Sequence, residues 1–358
     1  MKTKILRNIF LSVSVLFALA QLSGAGMNDV VLGFGNTRLG SQPPIITFDA
    51  PGSTLTLPSA INPGGAITGS YRDANFVFHG FVRALDGTIT SFDPAGATTT
   101  FASGINPAGA ITGYYYDANF VPRGFLRTSD GTFTNIDPPG SIATFSGSIN
   151  PVGTITGYYY DANFVPHGFL RTSDGTFTTF DPAGSTNTLA GSINPAGAIS
   201  GTYYDVNFVP HGYVRAPDST ITTFDAPDSV NGTFAGGINP RGTITGSYSD
   251  ANFVPHGFVR APDGPITTFD PFGAVGTTAL SINPRGTITG YYYDANFVSH
   301  GFLRTSDGTF TTFDPAGSTS TFAVSINPAA AITGFFYDIS GVTHGFLRSS
   351  IPRPQPTL

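Results

Sequence analysis

A similar string of residues recurs about every 44 residues along this chain. The tripeptide Ile-Asn-Pro occurs seven times, beginning at Ile61, Ile105, Ile149, Ile193, Ile238, Ile282 and Ile326. An aspartate that follows Phe or Ile keeps the same spacing, at Asp49, Asp93, Asp137, Asp181, Asp225, Asp270 and Asp314. A period of this length is typical of solenoids and propellers, in which each repeat packs against its neighbours. The fold must therefore accommodate seven copies of one unit.

Turn-forming residues divide one period, residues 99–138, into four short strands. A strand at about Thr100–Ile105 is followed by Asn-Pro-Ala-Gly, and a second, at about Ala110–Tyr116, by the loop Asp-Ala-Asn-Phe-Val-Pro. The third, Gly124–Arg127, ends at Ser-Asp-Gly, after which the fourth runs over Thr132–Ile136. Pro, Asn, Asp and Gly at these positions favour tight turns. Glu is absent while Thr and Phe are abundant, so composition also indicates an all-β fold.

The two ends of the repeat array complement each other. The array begins with a lone fourth-strand motif at 45–49 and stops after a third-strand motif at 344–348. Pairing these two segments would remove two unpaired edges that otherwise invite aggregation. We therefore predict a seven-bladed β-propeller of four-stranded antiparallel blades, closed by the N-terminal strand and spanning residues 44–349. A parallel β-helix is the alternative, although its coils are usually much shorter. The small residues of the first strand predict that it lies next to the axis.

The N-terminal segment has the pattern of a secretory signal peptide over residues 1–20. Three positive charges precede a short apolar run and the sequence Ala18-Leu19-Ala20, which fits a cleavage site; a retained anchor is the alternative. Residues 21–43 and the Pro-rich tail 350–358 are expected to be mobile extensions. No later segment reaches the roughly 20 apolar residues of a spanning helix. These features predict a secreted monomer, extracellular or periplasmic, without a stable membrane span after cleavage.

Charge and cysteine content exclude several kinds of site and partner. The net charge is −6, and cleavage of the signal peptide would make it more negative. An acidic surface repels nucleic acid and anionic membranes, so we expect no nucleic-acid partner. The absence of Cys excludes disulfides, thiolate metal sites and a cysteine nucleophile. Stability must therefore come from packing.

Polar side chains are concentrated after the second strand of each repeat. The loop begins with Asp, and in six repeats a His precedes the third strand. Loops after the second and fourth strands share one end of a meander, where Asp, Asn, His and Tyr would gather in a mixture suited to sugars. The candidate ligand-binding residues are Asp73, His79, Asp117, Asn119, Asp161, Asn163, His167, Asp205, His211, Asp250, His256, Asp294 and His300.

The same residues have a structural interpretation, which repetition favours. A feature present in every repeat is explained first by what every repeat needs to fold. On this interpretation His contacts a loop or the next blade, the loop Asp forms an Asx turn, and the Arg that ends each third strand pairs with Asp or covers apolar surface. Imidazoles on third strands lie too far from the axis to share a metal ion, and an EF-hand ligand string is missing. We predict no metal, no cofactor and no catalytic residue.

The motif Ile-Asn-x-x-Gly-x-Ile-x-Gly followed by His-x-Phe resembles the HAF repeats of predicted extracellular bacterial proteins. The resemblance covers about residues 44–348, and this chain has His-Gly-Phe where those repeats have His-Ala-Phe. It implies secretion and a repeat architecture, and it brings no established reaction.

The sequence favours binding over catalysis. It contains no GxSxG, HExxH, P-loop or dinucleotide motif. We predict a secreted, non-enzymatic propeller that acts as a binding or scaffolding module, with multivalent binding of an extracellular glycan or protein. The alternative is an extracytoplasmic lyase or glycosidase that uses Asp residues; a passive surface protein is a third. Residues that break the repeat symmetry are few, namely Arg72, Arg123, Arg241, Arg285 and Phe272.

Overall fold

A computed structural model describes residues 43–350, and every regular element in that range is a β-strand. The strands form five four-stranded sheets and one eight-stranded sheet. The prediction of an all-β fold built from repeated four-stranded antiparallel sheets is confirmed. The predicted signal peptide, nearly all of the 21–43 extension and the tail beyond residue 350 lie outside the described residues.

The strands fall into seven antiparallel units of four. Unit 1 comprises β2 (Leu55–Ile61), β3 (Ile67–Arg72), β4 (Phe78–Arg83) and β5 (Ile89–Phe92); unit 2, β6 (Thr99–Ile105), β7 (Ile111–Tyr116), β8 (Pro122–Arg127) and β9 (Phe133–Ile136); unit 3, β10 (Ala143–Ile149), β11 (Ile155–Tyr160), β12 (Pro166–Arg171) and β13 (Phe177–Phe180); unit 4, β14 (Asn187–Ile193), β15 (Ile199–Tyr204), β16 (Pro210–Arg215) and β17 (Ile221–Phe224). Unit 5 comprises β18 (Thr233–Ile238), β19 (Ile244–Ser249), β20 (Pro255–Arg260) and β21 (Ile266–Phe269); unit 6, β22 (Gly276–Ile282), β23 (Ile288–Tyr293), β24 (Ser299–Arg304) and β25 (Phe310–Phe313); unit 7, β26 (Ser318–Ile326), β27 (Ile332–Asp338), β28 (Thr343–Arg348) and the N-terminal β1 (Ile45–Phe48).

The N-terminal strand completes the last unit. β1 pairs with β28 in antiparallel register, from Ile45 opposite Arg348 to Phe48 opposite Gly345. The eight-stranded sheet thus consists of units 7 and 1, which a single parallel bridge between Leu55 and Thr343 joins. The pairing that the two incomplete ends of the repeat array predicted is present.

Glycines in the second and third strands let phenylalanines pack against the backbone. In unit 3, a Cβ on Gly168 would lie 2.7 Å from the ring of Phe180 on the fourth strand. A Cβ on Gly157 would lie 3.0 Å from the ring of Phe169 and would collide with the Phe145 carbonyl of the first strand. Phe169 is fully buried. The Ile-Thr-Gly and His-Gly-Phe motifs are therefore packing signals, since any side chain at either glycine would displace a core ring.

Buried asparagines link neighbouring first strands into a closed cycle. The Nδ2 group of Asn62 donates to the backbone oxygen of Asn106 at 3.1 Å, and each following Asn of the Ile-Asn-Pro motif does the same to the next. The Nδ2 group of Asn327 donates to the oxygen of Asn62 at 3.2 Å and closes the cycle. Each Asn also accepts a hydrogen bond through Oδ1 from its own turn; the Thr154 N–H, for example, donates to Asn150 at 2.9 Å.

Arginines at the ends of the third strands stack on the preceding unit. The guanidinium carbon of Arg127 lies 4.9 Å from the centre of the Phe92 ring in unit 1, and Arg304 lies 4.7 Å from Phe269 of unit 5. Burial lowers the pKa of Arg304, although the charge of Asp307 partly opposes this effect. Of the two roles that the sequence left open for these arginines, the structure has them covering apolar surface, through cation–π contacts.

Deletion of residues 1–49 tests closure, because it removes β1 and leaves the edge of β28 unpaired. We expect the unfolding temperature to fall by roughly 5 °C or more and the monomer to aggregate. A chain that begins at Pro43 retains β1 and is the matched control. Thermal unfolding and size-exclusion chromatography provide the measurements. Identical behaviour of the two chains would contradict closure by β1.

Asn150→Ala tests the asparagine cycle. The substitution removes the donor to the Asn194 oxygen and the acceptor for the N–H groups of Val152 and Thr154. Because buried groups lose their partners, we expect the free energy of unfolding to fall by about 2 kcal/mol. Asn163→Ala, in an exposed loop of the same unit, should cost much less. Urea unfolding of both variants decides the matter, and equal losses would show that the cycle adds nothing.

Candidate functional site

The predicted polar residues of each repeat meet in one compact cluster, which we call a station: the loop Asp, the His before the third strand and the Asp after the fourth. In unit 3, His167 Nδ1 donates to Asp181 Oδ2 at 2.7 Å, and its Nε2 lies 3.7 Å from Asp161 Oδ2. The ring of Tyr159 packs against the imidazole at 5.5 Å. Histidine thus bridges two carboxylates that lie on different turns.

The station is repeated in every unit, with Arg123 in place of the His in unit 2. Its carboxylate pairs are Asp73 with Asp93, Asp117 with Asp137, Asp161 with Asp181, Asp205 with Asp225, Asp250 with Asp270, Asp294 with Asp314, and Asp338 with Asp49. The bridging histidines are His79, His167, His211, His256, His300 and His344. The structure brings the predicted residues together within each unit, where one His or Arg side chain lies between the two carboxylates.

The loop aspartates hold their own turns. In unit 1, the backbone N–H groups of Asn75 and Val77 both donate to Asp73 Oδ1 at 2.9 Å. These hydrogen bonds, that of Val77 first, hold the pKa of the Asp73 carboxyl below its usual value, although desolvation partly opposes them. Asn119 and Asn163 occupy the same position as Asn75, and their backbone N–H groups donate to Oδ1 of Asp117 and Asp161. The predicted Asx turn is present.

Unit 2 shows what the bridging position requires. Arg123 stands where the other units have His, and its Nε lies 3.3 Å from Asp117 Oδ2 while Nη1 lies 3.8 Å from Asp137 Oδ2. A guanidinium and an imidazole share little except N–H groups that can donate to a carboxylate. The position therefore requires a bridge between two carboxylates, which is a structural need of every unit.

Six phenylalanines were missed by the sequence analysis. Phe76, Phe120, Phe164, Phe208, Phe253 and Phe297 end the Asp-Ala-Asn-Phe turns with φ between 59° and 65°, the left-handed region that disfavours side chains. This conformation costs about 1–2 kcal/mol per residue compared with Gly. Their rings are 47% to 78% exposed, so burial does not compensate for the strain. The signal was the absence of Gly from this turn, because the other two hairpins of the repeat have Gly at this position except at Ser219 and Ala330.

The two ends of the units differ in charge. We call the end that carries the stations and crossovers the loop end. Its acidic residues are the fourteen paired aspartates and Asp228, and its basic residues are Arg72 and Arg123. The opposite end, the turn end, carries nine arginines, at Arg83, Arg127, Arg171, Arg215, Arg241, Arg260, Arg285, Arg304 and Arg348, and six aspartates, at Asp86, Asp130, Asp174, Asp218, Asp263 and Asp307. Most of the negative charge of the described chain thus faces one way.

The first strands surround a cavity of about 430 Å³. All of its lining residues are Ser, Gly, Ala, Ile, Leu or Val, so it offers no acid, base or strong nucleophile. Some of the serines hold neighbouring strands together: the N–H groups of Ile61, Ile193 and Ile326 donate to the hydroxyls of Ser325, Ser148 and Ser281.

Residues 43–350 contain neither a metal-ligand cluster nor a membrane-spanning helix. In this range, no cluster of three or more His, Asp or other ligating residues has a geometry that would hold a metal ion. Nor does the described chain contain a helix with the length and apolarity to span a membrane.

Comparison with solved structures identifies the fold. The streptogramin B lyase structure matches with a TM-score of 0.56 at 13% identity, over 87% of this chain and 100% of that chain. Virginiamycin B lyase from Staphylococcus aureus gives 0.58 at 14% identity, over 85% and 99%. The β-propeller domain of the Trilobed protease from Pyrococcus furiosus gives 0.57 at 8%, over 84% and 100%. The chain has a β-propeller fold. At these identities the likeness extends to the fold alone. No protein-family model and no curated protein matches the chain.

The pH dependence of stability tests the station that joins the two chain ends. Burial lowers the pKa of His344, but hydrogen bonds and charge attraction from Asp49 and then Asp338 outweigh it, so that the net pKa lies above the usual 6.5. A raised pKa means that His344 stabilises the fold fully below about pH 6.5 and loses this effect as the pH rises through the folded-state pKa.

The measurement is urea unfolding of the parent and of His344→Asn from about pH 5 to about pH 9. Asn keeps a donor for Asp49 but does not titrate, so we expect its stability to decline less with rising pH. Equal slopes for the two proteins would rule out a stabilising charge on His344.

Proposed function

We propose that this chain is a secreted, closed seven-bladed β-propeller that works as a non-enzymatic, multivalent binding module. Its binding face is the loop end, and its partner is an extracellular glycan or protein. Membership of the HAF-repeat family and export through the 1–20 segment belong to the same proposal. The observation that carries it is the repetition of one station, with its neighbouring exposed ring, around the loop end.

Three features support closure into seven blades. Units 7 and 1 share a sheet through β28, the asparagine hydrogen bonds return from Asn327 to Asn62, and the first strands of units 7 and 1 lie in contact. Each unit then has two neighbours, and no unit is left at an end. Removing edges in this way is how propellers avoid aggregation.

The chemistry of the described residues supports binding over catalysis. The axial cavity has no ionisable lining residue, and the carboxylates of the loop end are engaged with a bridging His or Arg side chain and with turn N–H groups. The crossover aspartates remain partly accessible; the side chain of Asp225, for example, is 48% exposed. Equivalent, accessible stations suit several weak contacts, and several weak contacts give high avidity together.

The test is a binding screen followed by substitution in one unit. The full chain is titrated against immobilised neutral and charged glycans and against extracellular proteins, and Asp161→Asn with His167→Gln is compared with the parent. A multivalent binder should lose only about one seventh of its capacity. Asp174→Asn, at the turn end of the same unit, is the control and should lose none. Complete loss with the fold intact, as judged by circular dichroism, would instead indicate a single asymmetric site and refute the proposal.

A further inference from the structure

The exposed phenylalanines of the loop end are strained in a type of turn that elsewhere in the repeats uses Gly, except at Ser219 and Ala330. In unit 1, the Phe76 N–H donates to the backbone oxygen of Asp73, and the Asp73 N–H donates to the backbone oxygen of Val77. The turns that end at Gly65 and Gly87 have the same pair of backbone hydrogen bonds. All three turns need a residue with positive φ, yet only the loop-end turn places a ring there. Folding alone would favour Gly at all three.

Unit 7 provides the comparison within the loop-end turns themselves. Its residue at this position is Gly341, with φ of 76°, and the turn keeps the hydrogen bonds from Gly341 to the Asp338 oxygen and from Asp338 to Val342. The turn therefore forms without a ring. Six rings that are strained, exposed and dispensable for the turn indicate a contact with something outside the chain.

The negative charge around the rings limits the chemical classes of partner that can bind there. Each ring ends the turn that begins with a loop aspartate of a station, and the crossover aspartate of the pair is the more exposed of the two: in unit 4, 48% for Asp225 against 28% for Asp205. Such a field attracts cationic partners and repels anionic ones. Anionic membranes are therefore unfavourable partners, and a neutral glycan would gain no attraction from the charge.

Unit 1 contains a cation already placed on one of these rings. The guanidinium carbon of Arg72 lies 5.0 Å from the centre of the Phe76 ring, within the range of a cation–π contact. Arg72 occupies a strand end where most other units have Tyr. The other five rings have no aromatic or cationic contact among the described residues. Arg72 shows that a guanidinium fits over a ring in this turn.

We propose that the loop end binds a basic polypeptide through its arginine side chains, with guanidinium groups stacked on Phe120, Phe164, Phe208, Phe253 and Phe297 and attracted by the carboxylate pairs. This inference rests on the proposed function in taking the loop end as the binding face, and it specifies the partner. The rings supply contacts that charge alone does not, and their repetition in five units offers several contacts to one partner.

The experiment measures binding of a fluorescent nonaarginine peptide to the purified full chain by anisotropy, at low and at raised NaCl. Replacing the five free phenylalanines by Gly leaves the net charge unchanged and adopts the residue of unit 7. We expect affinity to fall at least about tenfold, while the unfolding temperature stays equal or rises because strain is relieved. Leu85→Ala with Val152→Ala removes exposed apolar residues at the turn end and should leave binding unchanged. Single Phe120→Gly and Phe208→Gly variants give partial losses should the fivefold variant not fold.

Arg72→Ala provides an independent readout. It frees the ring of Phe76, so the binding capacity for nonaarginine should increase, and Arg72→Ala with Phe76→Gly should abolish the increase. Raised salt should weaken binding of the parent. Equal binding by the parent and the five-Gly variant, or equal binding of nonalysine and nonaarginine, would overturn the proposal. Absence of nonaarginine binding alongside binding to a neutral glycan would overturn it as well and would leave the proposed function standing.

Discussion

The hydrogen bond from each buried asparagine to the next repeat is the contact on which the rest of the structure depends. A four-stranded unit cannot bury both of its faces alone, so it needs a neighbour at a fixed distance and angle. The asparagine sets both, because its Nδ2 group reaches the next repeat while its Oδ1 holds the turn that presents it. The stacked arginines stand on the third strands and join the same pairs of units. Polar contacts thus fix the geometry that apolar packing then fills.

The stations of the loop end follow from this arrangement. A crossover connects the fourth strand of one unit to the first strand of the next. The aspartate of the crossover is held by the histidine on the third strand of the unit that the chain is leaving. Asp93, for example, accepts hydrogen bonds from His79 and from Thr100 of the next unit. Every carboxylate that braces a crossover also adds to the charge of that end. The acidic face is therefore a consequence of how the repeats are joined, and the exposed rings are an addition to it.

Much of this fold can be predicted from the sequence, because strands, turns and the period depend on local residue chemistry. The four strands of unit 2 were placed within two residues of their observed starts and ends. The structural role of His79 was also foreseen, although its two carboxylate partners were not. Contacts between repeats, such as Asn62 with Asn106, depend on where side chains point across a gap that periodicity does not describe. The left-handed conformation of Phe76 was missed because the turn lacks the Gly that usually reveals it.

The pairing of β1 with β28 also has a consequence for the order of folding. Residues 45 and 348 can pair only after the whole repeat array has been synthesised, so β1 stays unpaired while the units between them form. In that interval β1 could pair with the third strand of another unit, since each third strand has nearly the same sequence as β28. The fourth strand that each preceding unit already carries protects those edges. Synthesis from the N-terminus therefore leaves β28 as the last vacant place, and the order in which the chain appears helps to select the correct partner.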